Sequence, residues 1–146
     1  MANLVNRIGN EFMKVILRSP LHGMLSGSTL LITVTGRKSG KAFTTPVNYV
    51  RQGDVLTITS LRERTWWRNL RGGGPVALRL QGQEVKGSAT VAQDDPGVAA
   101  GLTTYLSQVP QYAKYLGVAL DSNGQPCAQD IARVAQDRVV IKVKLG

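Results

Sequence analysis

Two periodicities divide the chain. Over residues 3–18, Leu4, Ile8, Phe12, Val15 and Ile16 recur at helical spacing against Asn6, Arg7, Asn10, Glu11, Lys14 and Arg18. That spacing predicts an amphipathic helix, ended by Ser19-Pro20 because the residue before a proline is pushed out of helical conformation. Its apolar stripe either packs on its own domain or, given the basic flanks, makes a peripheral membrane contact. After Gly27 the period changes to two. Leu30, Ile32 and Val34 alternate with Leu31, Thr33 and Thr35; Val47 and Tyr49 with Asn48; Val55, Thr57 and Thr59 with Leu56, Ile58 and Ser60. These are strands joined by tight turns at residues 36–41 and at Gln52-Gly53-Asp54. Residues 76–81 and 84–92, separated by Gly82, form another hairpin, and 139–145 a last strand. Between them lies a helical insert. It starts at Asp95-Pro96, resumes as a short helix at Pro110-Gln111-Tyr112, turns at residues 121–124 and closes with a helix over 128–136. The fold class is therefore α+β, mainly β: a small barrel of about six antiparallel strands.

Composition narrows the class. The chain has 146 residues, 42% of them hydrophobic, with no repeat or low-complexity tract, which suits one domain over residues 1–146 with a real core. Cys127 is the lone cysteine and His22 the lone histidine, so neither an internal disulfide nor a metal-ligand set is expected, and a reducing, cytoplasmic setting fits. No apolar run approaches a membrane span, and the amino terminus is too polar for a signal peptide. The net charge is +9, and it is unevenly placed: residues 1–80 carry 12 basic and 3 acidic side chains, residues 81–146 carry 6 of each. An excess confined to one half points to an anionic ligand held there. It is also compatible with nucleic acid or an acidic membrane surface. No zinc spacing, helix-turn-helix or aromatic strand motif accompanies it, so no nucleic acid is expected as a partner.

The basic half contains the stretch with most chemistry. Gly36-Arg37-Lys38-Ser39-Gly40-Lys41 sets backbone N–H groups, three cations and a hydroxyl in one short turn. That is a phosphate-sized anion site, although a polar two-glycine turn also serves simply to close a hairpin. Thr44-Thr45-Pro46 follows at the start of a strand, where a proline without an N–H marks a broken ladder with backbone groups free for a planar ligand. Ser60 through Arg64 follows a strand and precedes a short helix starting near Thr65, whose dipole favours a second anion contact. Trp66 and Trp67 face different ways on that helix, so one can fill the core while the other borders a pocket; both as core filler is the alternative. Tyr112 and Tyr115, three apart, share a face and are either packing residues or a pocket wall.

Taken together, Gly36-Arg37-Lys38-Ser39-Gly40-Lys41, Thr44-Thr45-Pro46-Val47, Gly53-Asp54, Ser60, Trp66-Trp67-Arg68-Asn69-Leu70 and Pro75-Val76 resemble the deazaflavin-dependent nitroreductase family of flavin/deazaflavin oxidoreductases. The resemblance runs on to Pro110, Tyr112 and Tyr115 and the terminal strand. It implies a split β-barrel of the FMN-binding type that binds F420, or FMN in related groups. Arg37, Lys38 and Ser39 would then hold the phosphate and acidic tail, and Thr45, Pro46 and Val47 would line the ring. Ser60 and Arg62 would close over the ribityl phosphate, while Trp67 and Asn69 shape the groove. Tyr112 and Tyr115 would face the substrate as catalytic residues, with Tyr49 as a further wall. Only five residues separate Ser60 from the tryptophans, fewer than in many members, which implies arginine side chains standing in for backbone donors.

The implied activity is hydride transfer from the reduced cofactor to a small-molecule electron acceptor: a quinone, an activated alkene or a nitro compound. Because the cofactor brings the chemistry, no hydrolytic triad or carboxylate pair is needed. A monomer or a homodimer is compatible with this reading. The alternatives are a carrier that binds the cofactor without catalysis and a basic module for anionic surfaces.

Overall fold

The computed structural model describes residues 29–146; the helix expected over residues 3–18, and His22, lie outside them. Strands β1 (Thr29–Thr35), β2 (Ala42–Gln52), β3 (Val55–Leu61), β4 (Gly74–Leu80), β5 (Gln83–Ala92) and β6 (Arg138–Leu145) close into an antiparallel barrel in the order β1-β2-β3-β6-β5-β4. Closure leaves no sheet edge of the ordinary kind. Alternation sorts the strand residues. Leu30, Ile32 and Val34 of β1, Leu56 and Ile58 of β3, and Val139, Ile141 and Val143 of β6 meet in the barrel interior, joined by Trp66, Trp67 and Leu70 from a 3-10 turn (Trp66–Leu70) that plugs one end.

A second apolar cluster lies outside the barrel, where Val50 and Val140 carry the helical insert. That insert comprises α1 (Asp95–Gln108), a 3-10 turn (Pro110–Tyr112) leading into α2 (Ala113–Leu116), and α3 (Ala128–Ala135). Asp94 caps α1 by accepting from the Gly97 N–H at 2.9 Å, with Pro96 in the first turn, as the Asp-Pro signal predicts. Gly101 sets how closely α1 approaches β6, since a Cβ there would lie 2.7 Å from Val140 Cγ1.

The ladder between β2 and β3 is incomplete. Pairing runs from Gln52↔Val55 to Tyr49↔Ile58 and stops. Both strands continue, but only with their other neighbours: β2 pairs β1 as far as Ala42, and β3 pairs β6 as far as Leu61↔Arg138. Pro46, which has no N–H to offer, lies in the separated stretch. The strand starts four residues earlier than Pro46, at Ala42, so Thr44-Thr45-Pro46 sits within β2 rather than at its start.

Candidate functional site

Extending the β2–β3 register past its last rung would bring Asn48, Val47 and Pro46 opposite Thr59, Ser60 and Leu61. Those six residues instead line a cleft of about 190 Å³, together with Arg64, Trp66, Tyr105, Tyr112, Tyr115, Leu116 and Arg138. The parted strands form its sides and the helical insert its aromatic wall. On the parted β3 edge the Leu61 carbonyl accepts from the Arg64 N–H and from Ser60 Oγ, each at 3.2 Å; backbone groups there without such a partner are left to water or a ligand.

A larger cleft of about 750 Å³ begins on the other side of Trp66. Arg37, Lys38 and Lys41 of the β1–β2 turn line it along with Arg68, Asn69 and Arg71 of the 3-10 turn. Gly40 adopts φ +69 to close the β1–β2 turn, a conformation costly for any residue with a Cβ. The Gly36 N–H donates to the Lys41 carbonyl at 2.8 Å and the Lys41 N–H to Ser39 Oγ at 3.2 Å. Asn69 ties the two turns, accepting from the Arg37 N–H and donating to the Trp66 carbonyl, each at 3.1 Å; the Arg37 guanidinium donates to the Arg71 carbonyl. Lys38 and Lys41 are exposed and make no ion pair among the described residues. The two clefts present seven cations and no carboxylate. The ion pairs among the described residues, Arg79–Glu84, Arg133–Asp130 and Lys144–Asp54, all lie elsewhere.

The expected site residues separate accordingly. Pro46, Val47, Ser60, Tyr112 and Tyr115 come together in the smaller cleft, and Arg37, Lys38, Ser39 and Asn69 in the larger. Thr45 is buried beside them, its Oγ1 3.5 Å from Arg64 Nη2. Three residues sit differently. Tyr49 is buried in the barrel interior, where it bonds Gln81 and burial raises its pKa, and it does not line the cleft. Trp67 is 1% exposed in the core; its ring reaches the larger cleft only by carrying the guanidiniums of Arg68 and Arg71, 5.7 and 5.1 Å from its centroid. Trp66 is the tryptophan that borders both clefts. Arg62 turns away altogether. Its Nε donates to the Gln136 carbonyl at 3.1 Å, and its Nη2 reaches the carbonyls of Gln93 and Arg138 at 2.9 Å and of Ala135 at 3.2 Å. It thereby closes the C-terminal end of α3, where carbonyls lack helix partners. No helix dipole begins at Thr65 either: the segment is a five-residue 3-10 turn without a side-chain cap.

Tyr105, Arg64 and Arg138 are cleft residues that the sequence did not single out. Tyr105 is 2% exposed and stacks obliquely on Tyr112, with ring centroids 6.0 Å apart. Burial, then Tyr112, pushes its phenol up to about 12. Arg138 opens β6, and burial lowers its pKa against the opposing pull of Tyr115, Tyr105 and Asp137. The signal for Arg64 was present in the shortened segment after Ser60; those for Tyr105 and Arg138 depend on helix packing and strand register. No cluster of metal-ligating residues occurs among the described residues, and none of their helices is long and apolar enough to cross a membrane.

A closed barrel parted between two strands, with a ring-sized cleft at the gap and a cationic cleft beside it, defines the flavin/deazaflavin oxidoreductase class of fold. Within it, the chain belongs to the F420H(2)-dependent quinone reductase family, whose profile matches residues 12–118; this is a family of oxidoreductase enzymes. No curated protein matches the sequence. Among solved structures, the chain is similar to the FAD and heme binding protein of Mycobacterium smegmatis (TM-score 0.51, 16% identity, covering 88% of this chain and 67% of that one). It is similar also to a Listeria innocua protein provisionally assigned as a pyridoxamine 5'-phosphate oxidase (TM-score 0.53, 14% identity, 88% and 93% covered). A third is a Bacteroides thetaiotaomicron protein provisionally assigned to 5-nitroimidazole antibiotic resistance (TM-score 0.54, 12% identity, 85% and 76% covered). At such identities the likeness is one of fold.

Proposed function

We propose that this protein binds F420 across the two clefts and reduces an electron-poor acceptor of the quinone type. The observation that carries this reading is the interrupted β2–β3 ladder, which leaves unpaired strand edges in a tyrosine-walled cleft joined through Trp66 to a cationic one. The donor set fits such a group. Backbone N–H and C=O groups along the parted edges suit the polar rim of a flat ring, and Arg37, Lys38, Ser39 and Lys41 suit a phosphate and an acidic tail. When bound, F420 supplies the hydride. The protein's part is to orient the ring along β2, to exclude water with Trp66, Tyr105 and Leu116, and to offer hydroxyls from Tyr112 and Tyr115 to the acceptor.

Titration of the purified protein with F420 and, separately, FMN, followed by fluorescence, tests the reading. F420 should bind in preference to FMN, and the double variant Lys38→Ala/Lys41→Ala should weaken it at least about tenfold, since each charge-assisted bond is worth about 1.5–3 kcal/mol. Neither lysine side chain holds another described group in place, and the backbone bonds of Lys41 to Gly36 and Ser39 survive the change to alanine, so the fold should be unaffected. Preference for FMN would keep the oxidoreductase class and change the cofactor. Absence of binding to either would defeat the reading. With cofactor bound, Tyr112→Phe and Tyr115→Phe should slow quinone reduction; unchanged turnover in both would remove the tyrosines from the chemistry.

A further inference from the structure

Arg138 is the feature of the smaller cleft that cofactor binding leaves unexplained. It is the first residue of β6, paired with Leu61 at the far end of β3, so it sits where the strands have parted and the helical insert begins. Its side chain lines the cleft with Tyr105, Tyr112 and Tyr115, opposite the β2 edge. Among the described residues its guanidinium has no hydrogen-bond acceptor and no ion pair; Asp137 attracts it without forming one. The other cation of this cleft, Arg64, leans toward β2 through Thr45 Oγ1. Arg138 is held from behind. Its carbonyl accepts from Arg62 Nη2 at 2.9 Å, and the Arg62 N–H donates to the Asp137 carbonyl at 2.8 Å. Little reorganisation is then needed when negative charge arrives.

We propose that Arg138 is a catalytic residue that binds the oxyanion formed when the acceptor is reduced, in the cleft it lines with Tyr105 and Tyr115. This rests on the reading of the cleft as an acceptor site. In quinone reduction a hydride brings two electrons and one proton to the acceptor. A π pair moves onto a carbonyl oxygen, leaving a hydroquinone monoanion that takes one proton from water or a tyrosine hydroxyl to become neutral. The charge on that oxygen is what a half-buried guanidinium with no ion-pair partner among the described residues stabilises better than bulk water does. The titratable and charged groups facing it are Arg64, Tyr105, Tyr112 and Tyr115, together with Asp137 beside it. None of these except Asp137 is negative at neutral pH.

A phenol whose absorbance reports its ionisation, 4-nitrophenol, mimics the monoanion and needs no cofactor. In the cofactor-free protein the phenolate should bind about tenfold or more tighter than the neutral phenol, seen as a drop of about one unit in the bound phenol's pKa. Arg138→Met should abolish most of that preference, and Arg138→Lys should restore part of it. Circular dichroism of each variant verifies the fold. Equal binding of the two forms by the wild type, no binding at all, or an undiminished preference in a folded Arg138→Met variant would overturn the proposal. Because the probe requires no F420, a failed F420 titration beside an intact phenolate preference would defeat the cofactor reading and leave the anion site standing. The reverse pair of results would do the opposite.

Discussion

Replacing Arg62 with methionine keeps much of the aliphatic stem and removes a guanidinium that spans four backbone carbonyls at 2.9–3.2 Å. Nη2 carries only two hydrogens for three of those carbonyls, so the effective number of bonds is about three rather than four. Hydrogen bonds to charged groups contribute about 1.5–3 kcal/mol when well shielded. Arg62 is half-buried, and water can replace part of each bond, which lowers the scale to about 1 kcal/mol per bond, or roughly 3 kcal/mol in all. The loss is concentrated where α3 meets β6, because the carbonyls of Ala135, Gln136 and Arg138 lose their shared donor together. For a domain of this size, roughly 3 kcal/mol corresponds to a fall in Tm of about 6–12 °C. Urea unfolding of the wild type and Arg62→Met measures it directly. F420 affinity, measured on folded protein well below the transition, should stay within about twofold, since Nε and Nη2 of Arg62 are committed to backbone carbonyls and Arg62 lines neither cleft. A stability change below about 0.5 kcal/mol would refute this account. So would a large loss of F420 affinity at unchanged stability, which would return Arg62 to the cofactor.

Two further outcomes test the frame around the site. Gly101→Ala places a methyl 2.7 Å from Val140 Cγ1 and 2.9 Å from Cγ2; overpacking of about 1–3 kcal/mol, less about 1 kcal/mol of gained helix propensity, should leave a net loss measurable by thermal unfolding. Adding Val140→Ala should make the double variant lose less than the sum of the two single losses, and strict additivity would show that the contact does not limit α1. Tyr105 keeps its proton up to about pH 12 in the folded protein but ionises near 10.0 when unfolded. The unfolded chain therefore binds fewer protons across that interval, and up to about 3 kcal/mol of stability, intact below it, is lost as pH rises through it. Tyr105→Phe should flatten that part of the stability curve, and parallel curves for the two proteins would count against the buried phenol.

Much of the fold was legible because period-two alternation is a local signal. Leu30, Ile32 and Val34 point inward in the barrel as their spacing requires, and Asp95-Pro96 opens α1. The turn around Gly36 and Gly40 and the two tyrosines of the Pro110 segment line two adjoining clefts. What was not legible depends on partners distant in sequence. Nothing local distinguishes Arg62 from Arg64, yet one meets the end of α3 more than seventy residues on and the other the cleft. Trp66 and Trp67 are equivalent by composition; only the orientation of a 3-10 turn, too short for helical periodicity, decides which reaches a surface. Tyr49 matches the inward register of β2 beside Ile58, and that register commits it to the interior.

The site's position follows from a conflict that the barrel does not resolve. Closing six strands demands that β2 bond both β1 and β3, but β2 pairs β1 only from Ala42 to Asn48 and β3 only from Tyr49 to Gln52, while β3 stays with β6 along its whole length. Pro46 removes one donor from the stretch where the two would meet, and the aromatic insert occupies the space outside it. An uninterrupted ladder would satisfy those backbone groups internally and leave no reason to bind anything there. The incomplete ladder instead concentrates unpaired N–H and C=O groups beside a run of guanidiniums with no carboxylate to neutralise them. Unsatisfied hydrogen-bonding capacity and uncompensated positive charge both cost the unliganded protein stability, and an anionic planar ligand relieves both together. Six of the twelve basic side chains of residues 1–80, those of Arg37, Lys38, Lys41, Arg64, Arg68 and Arg71, line these two clefts.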